Sequence, residues 1–380
     1  MRVACVYWTT TSVGGIATHL NRLRDAALAV GDTFDILHAQ STGGKTKTAA
    51  VFGERKWIRG GDTKIWVDGE LPFHPTNVTK SVKWLEGRYD AVLFGFICPH
   101  PNKMFLSSQV EGEAYSYLPL FDSKLPKAAW VMDGYWDEYK ELALPLVKKL
   151  RAVFCPQESY AIPVRKSGVK VVISPFPFKP AVGKMEPKTV RPSVLWPCQW
   201  KNIKGVTQFL EQVPSLPDDF EVQLYSNGIR YYQLRTEDVW KAAVGKDLFA
   251  GHNGSGRATF YGNVDLPDIL RAYQRSWFSV NLQGIATRKE SYKAGSYNNT
   301  EVEALWYGAC PVLHSSTSGT RMPSDLYVGV TKSDELPDAM EQAARGGFAL
   351  SEDRRRAARD FVYKYHMAAT RYQDIRKVLL

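Results

Sequence analysis

Several short stretches of this 380-residue chain combine residue types and spacings that suit an anionic ligand. "NNTEVEALWYGACPVL", residues 298–313, places Glu301 and Glu303 one residue apart at the front of a helix-like run. The dipole of a helix start favours carboxylates there. Thr300 followed three residues later by Glu303 also has capping-box spacing. Capping accounts for one acid and leaves the other available to a ligand. The polar loop just before it makes Asn298 and Asn299 candidates for ligand contacts. "LWPCQWKNIKGVTQFL" places Gln199, Lys201 and Lys204 between a strand and a helix. Lysines there either neutralise a diphosphate or sit on the surface. The dipole disfavours cations at a helix start, so an anion should offset them. In "WTTTSVGGIATHL", Gly14 and Gly15 either let the backbone approach a ligand or simply make a tight strand–helix turn. The spacing is not G-x-G-x-x-G, so a dinucleotide fingerprint is absent. In "WVMDGYWDEY", Asp133 ends an apolar run. It either serves as a carboxylate for proton transfer or charge stabilisation, or caps the next helix ahead of Gly134.

The elements that must carry these residues are short apolar runs alternating with helical patterns. "RVACVYW", "FDILHA", "DAVLFGF", "KAAWVMD", "RAVFCP" and "VKVVISP" occupy the first half. They show little polar alternation, as strands of a parallel sheet covered on both faces do. A helix over 15–30 follows the first, and a helical segment over 159–166 makes a βαβ crossover between the last two. "PFPFKPAVGKMEPKTVRP", residues 175–192, is proline-rich without apolar periodicity and reads as an interdomain linker. Beyond it, "SVLWPC", "EVQLYSN", "ATFYGN", "FSVNLQ" and "CPVLHS" read as strands. "GVTQFLEQV", "LPDILRAYQRS" and "TEVEALWYG" are the helices between them, and the chain from about 351 on reads as amphipathic helix. The expected organisation is α/β: a domain over 1–178, a second over 190–350 and a helical segment over 351–380. Ligands of such sheets bind at the carboxyl ends of the strands, so a cleft between the two is the expected site.

The net charge of +10 and pI near 9.2 favour a polyanionic partner. Residues 43–64 concentrate Lys45, Lys47, Arg55, Lys56, Arg59 and Lys64 against Glu54 and Asp62. This segment is either a phosphate-contacting loop or a solvated surface loop. The five cysteines are scattered in or beside apolar runs, as free thiols of a reducing cytoplasm are. No spacing suits a structural zinc, so no metal is expected. No apolar run spans a membrane, and the start lacks a signal-peptide pattern.

In order along the chain, "QWKNIKG", "FYGNVDLPDILRAYQRS" and "EALWYGACPV" resemble the second-domain motifs of the retaining, sugar-nucleotide-dependent GT-B glycosyltransferases. The likeness extends back through "RAVFCPQESY" and "VKVVISPFPF" and covers nearly the whole chain. Within that group "MRVACVYW…VGGIATHLNRLRDAAL", "YGN" and "NTEVEALWYGACPVL" look like the bacteriophage DNA α-glucosyltransferases, which glucosylate hydroxymethylcytosine. The resemblance implies a GT-B fold: two Rossmann-like domains facing across a cleft, an acceptor-binding one first and a donor-binding one second. The C-terminal helix would pack back toward the first.

It also implies residue roles. Glu303 matches the glutamate on the donor ribose, Lys204 the lysine on the diphosphate, and Gly14 and Gly15 the glycines near the transferred sugar. Asp133 matches the aspartate of a His-Asp pair considered for catalysis, which makes it the catalytic candidate. The sequence departs from the family at Gln199, where arginine is usual, at Gly295, where the first glutamate of E-x7-E would fall, and at Met132, where histidine precedes the aspartate. Glu301 stands where the phage enzymes carry histidine. The implied activity is transfer of a sugar from a nucleotide diphosphate, a UDP-sugar above all, with retention, to a hydroxymethylated base flipped from duplex DNA. Residues 43–64 would then hold the DNA, in the host cytoplasm if the gene is a phage's. Two alternatives stay open: a cytoplasmic transferase of polysaccharide or glycolipid synthesis, and a non-catalytic nucleic-acid binder on a transferase fold.

Overall fold

The computed structural model describes residues 1–7, 15–40, 64–67, 70–73, 78–95, 107–110, 113–116, 118–131, 136–181, 185–198, 204–225, 258–262, 264–283, 285, 299–314 and 322–380. These divide into two compact units: Met1–Lys179 with Met367–Leu380, and Pro180–His366.

The first unit is built on an eight-stranded sheet. Its strands are β1 (Arg2–Tyr7), β2 (Thr33–Gln40), β3 (Lys64–Val67), β4 (Glu70–Phe73), β5 (Ala91–Phe94), β8 (Lys127–Trp130), β9 (Ala152–Cys155) and β10 (Val171–Ile173). Their order is β10-β9-β8-β5-β1-β2-β3-β4, and β6 (Ser107–Val110) pairs with β7 (Glu113–Ser116) in a separate ribbon. The expected parallel pairing holds from β10 through β2. β5, β8 and β9 are buried at every position, which is why their sequences are apolar without alternation. The edge differs from the expected parallel sheet, because β3 and β4 run antiparallel there. Val67 faces Glu70 across a two-residue connection, Asp68-Gly69, a dipeptide that suits a tight hairpin. Lys64, expected in a phosphate-contacting loop, is the first residue of β3 and pairs with Gln40. The helices are α1 (Gly15–Leu28), α2 (Val78–Arg88), α3 (Trp136–Val147) and α4 (Glu158–Lys166). α4 links β9 to the parallel β10, as the crossover pattern requires.

The second unit holds a six-stranded, all-parallel sheet: β11 (Ser193–Trp196), β12 (Glu221–Tyr225), β13 (Ala258–Gly262), β14 (Phe278–Asn281), β15 (Cys310–His314) and β16 (Val328–Val330). The order β13-β12-β11-β14-β15-β16 reverses direction between β11 and β14. In open α/β sheets that reversal opens a crevice at the carboxyl ends of the two strands. The described helices of the unit are α5 (Val206–Gln212), α6 (Leu266–Arg275), α7 (Asn299–Tyr307), α8 (Leu336–Arg345) and α9 (Glu352–His366). Trp196 stacks on Phe209 at 5.1 Å, which fixes α5 against β11. The order of the first sheet reverses between β1 and β5, and Gly15 opens α1, the helix that follows β1 in the chain.

The last helix, α10 (Ala368–Leu379), belongs to the first unit. Ala368, Tyr372, Ile375 and Leu379 pack with Leu20, Leu23 and Phe34. The chain enters that unit beside the point where it leaves: the Ala368 amide donates to the Phe178 carbonyl at 2.8 Å. Within the proline-rich stretch, Phe176 and Phe178 are buried in the first unit, where Arg22 donates to the Pro177 carbonyl at 3.2 Å. Further on, Lys188 is anchored in the second unit through the carbonyls of Tyr273, Ser276 and Tyr307. Cys5, Cys155, Cys198 and Cys310 are buried free thiols, and Cys98 lies outside the described residues.

Asp32 is the polar fastener of α10. It accepts the Met1 amino group at 2.6 Å, the Tyr372 hydroxyl at 2.9 Å and Arg376 Nε at 3.0 Å. Burial pushes its carboxyl up, but the Met1 amino group, Tyr372 and Arg376 outweigh that and hold it below its ordinary value. In the unfolded chain it titrates near ~3.9. A depressed folded value gives stability that is present above the unfolded value and lost as pH falls through the folded one. Thermal denaturation should therefore show the wild-type midpoint falling as pH drops below about 5. Asp32→Asn should start lower at neutral pH and lose less over the same interval.

Candidate functional site

At the carboxyl ends of β11 and β14, groups from three segments form one hydrogen-bonded chain. Lys204 Nζ donates to the side-chain oxygen Oε1 of Gln283. The Gln283 amide N–H donates to Asn281 Oδ1 at 3.1 Å. Asn281 Nδ2 donates to Glu301 Oε1. The same Glu301 oxygen accepts the Thr300 hydroxyl at 3.0 Å. Glu301 is only 2% exposed, and Asn281 and Gln283 are buried as well. A buried carboxylate is costly unless donors surround it, and Asn281 and Thr300 supply them. Cys198, at the end of the β11 segment, borders the same cluster. Burial pushes its thiol up to about 12, Lys204 draws it down and Glu301 raises it. That thiol stays protonated, so it is no nucleophile at neutral pH.

Backbone geometry holds Lys204 in place. Gly205 is left-handed, at φ +77°. A Cβ there would lie 2.6 Å from Leu282 Cβ and 2.8 Å from the Leu282 carbonyl oxygen. The turn after β11 thus presses against the end of β14, and only glycine allows both the conformation and the approach. α5 has seven residues. Its dipole adds little, so among the described residues of this turn the positive charge is that of Lys204.

α7 explains the two acids of the opening stretch. It starts at Asn299, two residues earlier than the capping-box spacing implies, so Thr300 lies inside the first turn instead of capping it. Glu301, not Glu303, is the acid of the first turn. Two residues on a helix are about 200° apart around its axis, so Glu301 meets β14 and Glu303 leaves on another side. Glu303 is 8% exposed, and α7 is buried nearly all round. The far end of α7 is capped by two donors: Lys188 on the Tyr307 carbonyl at 3.3 Å and the buried Arg354 on the Gly308 carbonyl at 3.1 Å. Burial, then Arg354, Arg355 and Arg359, push the Lys188 ammonium down to about 6, so the charge that opposes the negative end of the helix dipole is that of Arg354.

A pocket of about 320 Å³ lies beside α6, lined among others by Gln223, Tyr225, Tyr261, Val264, Arg271 and Arg275. Tyr225 and Tyr261 stack face to face at 4.5 Å. Burial, then Tyr261 and Asp268, push the Tyr225 hydroxyl up to about 12, so it acts as a neutral donor. Tyr261 is 47% exposed and offers a ring to a planar ligand.

Of the expected site residues, Lys204, Glu301 and Asn299 lie in or next to the cluster, and Glu303 lies on α7 two residues from Glu301. Gly15 opens α1 in the first unit. Gly14, Asp133, Gln199, Lys201 and Asn298 lie outside the described residues, as do Lys45, Lys47, Arg55, Lys56 and Arg59. Asn281, Gln283 and Thr300 were missed as site residues. The signal for the first two was present: "VNLQ" alternates polar residues at the end of a strand that is otherwise buried. Among the described residues there is no group of three or more His, Cys, Asp or Glu that could hold a metal ion. No helix among them is long and apolar enough to cross a membrane.

Gly205→Ala should cost on the order of 2 kcal/mol or more, from left-handed strain together with overlap at Leu282. Equilibrium denaturation measures this, and Gly168→Ala is the control. Gly168 is also left-handed, at φ +77°, but a Cβ there meets nothing within 4 Å, so its cost should be smaller.

No family model matches the chain, and no curated protein matches it. Solved structures do. Anabaena Alr3699/HepE in complex with UDP-glucose superposes with a TM-score of 0.64 at 11% identity, covering 100% of this chain and 99% of that one. An alpha-glucosyltransferase in complex with UDP and a 13-mer DNA containing an HMU base gives 0.65 at 12% identity, with the same coverage. The lipopolysaccharide outer core galactosyltransferase WaaB, in its apo form, gives 0.60 at 11% identity, again over 100% and 99% of the two chains. With two doubly wound units and a C-terminal helix returned to the first, the chain has the GT-B fold of these glycosyltransferases.

Proposed function

We propose that the protein is a nucleotide-sugar-dependent glycosyltransferase whose donor diphosphate binds at Lys204. The carrying observation is the fixed cation at the β11/β14 reversal, held by a neutral amide and seated on a turn that only glycine allows. This is where open α/β sheets bind their ligands, and a lysine there is a point charge for phosphate. Glu303 is the candidate for the donor ribose, since a carboxylate accepts from both ribose hydroxyls. The exposed ring of Tyr261 suits the base. All three solved neighbours are named glycosyltransferases or hold a UDP-sugar, which supports this class of donor. Transfer with retention leaves charge on the departing diphosphate, which Lys204 and Lys201 neutralise as it develops. Asp133 is the proposed carboxylate for the oxocarbenium-like centre or the acceptor hydroxyl.

For the acceptor we favour a hydroxymethylated base in duplex DNA. The net charge of +10 and the basic run over 43–64 supply phosphate contacts, and one neighbour holds a DNA with an HMU base. A saccharide or glycolipid acceptor is the second reading, favoured by the likeness to WaaB, a lipopolysaccharide galactosyltransferase.

A melting screen of sugar nucleotides should find a donor that raises the midpoint, as a ligand of the folded state does. Glu303→Gln should bind that donor roughly ten- to a hundredfold more weakly, the loss of a charge-assisted hydrogen bond. Labelled sugar should then enter duplex DNA carrying hydroxymethylcytosine and not unmodified duplex. Incorporation into lipid-linked saccharides alone would reject the DNA acceptor and keep the transferase. A Glu303→Gln protein with the wild-type shift would reject the ribose assignment.

A further inference from the structure

We propose that Gln283 is a positioning residue for Lys204, and that the buried Glu301 carboxylate sets its orientation through Asn281; this rests on the donor site proposed above.

The directions of the hydrogen bonds carry the inference. An ionised carboxylate can only accept. Facing Glu301, Asn281 must therefore turn its NH₂ toward Oε1, which leaves Oδ1 on the opposite side. There it accepts the backbone N–H of Gln283 at 3.1 Å. That bond fixes the Gln283 backbone immediately after β14. The side chain of the same residue then presents its oxygen to Lys204. Thr300 adds a donor to the same Glu301 oxygen and ties the start of α7 into the relay.

The chemistry of the last link matters. Gln283 is a neutral acceptor. It takes one of the three ammonium protons of Lys204 and orders a long side chain without cancelling its charge. A carboxylate in its place would hold the lysine equally well but neutralise it. The full positive charge and the other protons are left for a diphosphate. Pre-ordering the lysine also removes side-chain entropy that binding would otherwise have to overcome. Glu301 is buried and lies at the other end of the relay, so its negative charge does not compete directly at the lysine.

The test is calorimetric titration of the full chain with UDP and, separately, with uridine. Wild type should prefer UDP over uridine by at least about tenfold, a difference of about 1.4 kcal/mol. Equal binding of the two by wild type would defeat the donor-site reading itself, and the present proposal with it. Given that preference, Gln283→Leu removes the acceptor and Gln283→Glu keeps an acceptor but adds a competing charge. Both should lose most of the preference for UDP while binding uridine within about twofold of wild type. Glu301→Gln should lose part of it, because an amide no longer dictates which way Asn281 turns. A wild-type preference in both Gln283 variants would overturn the proposal while leaving the donor site standing. So would equal weakening of UDP and uridine, which marks a merely structural role. A wild-type preference in Glu301→Gln would remove Glu301 from the relay. Melting curves accompany each variant, and a Gln283→Asn protein, with a shorter neutral amide, should recover part of the preference that Gln283→Leu loses.

Discussion

A carboxylate that is 2% exposed is costly to bury unless donors surround it. The Glu301 carboxylate is the constraint on which the second unit's crevice depends. Asn281 answers it from the end of β14 and Thr300 from the first turn of α7. That requirement locks the helix start to the strand end. With β14 beside β11 at the reversal of the sheet, it also brings the residue after β14 next to the turn after β11. Gly205 closes the gap, because its missing side chain is the space that Leu282 occupies. The lysine that would meet a phosphate is thus the last member of a polar chain that begins at a buried acid.

The opposite end of α7 is governed by the complementary problem. Its last carbonyls would be left without partners, and Lys188 and Arg354 donate to them there, Arg354 with its charge. Arg354 also donates to the carbonyls of Ala349 and Phe348, at 2.8 Å and 3.2 Å. The helix is pinned at both ends by groups that match its dipole. It can therefore hold Glu303 at a fixed place without packing amphipathically, as its sequence, apolar on nearly every side, also indicates.

Much of the fold was legible because buried parallel strands leave a plain mark. "DAVLFGF", "RAVFCP" and "SVLWPC" are apolar without alternation, and each holds a fully buried strand. The antiparallel edge of the first sheet was not read, although Asp68-Gly69 between two short strands was a usable hairpin signal. Lys204 was legible from its place between strand and helix. Its partner Gln283 was not, because hydrogen-bond partners 79 residues apart are joined only by the sheet. The role of Glu301 was hidden for the same reason: capping explains an acid near a helix start, and only the position of Asn281 shows what else it meets. The helix starts two residues before the capping-box register, which puts Glu301 and not Glu303 in the first turn, since a capping box is read from spacing alone and the fold chooses the register.

The central claim is that a donor diphosphate sits on Lys204 at the β11/β14 reversal. A crystal structure of the full chain with UDP tests it most directly. Diphosphate oxygens should lie within hydrogen-bond reach of Lys204 Nζ, at about 3 Å, with Gln283 still holding the lysine and the ribose hydroxyls on Glu303. UDP bound in order elsewhere, with Lys204 turned away from the phosphates, would contradict it.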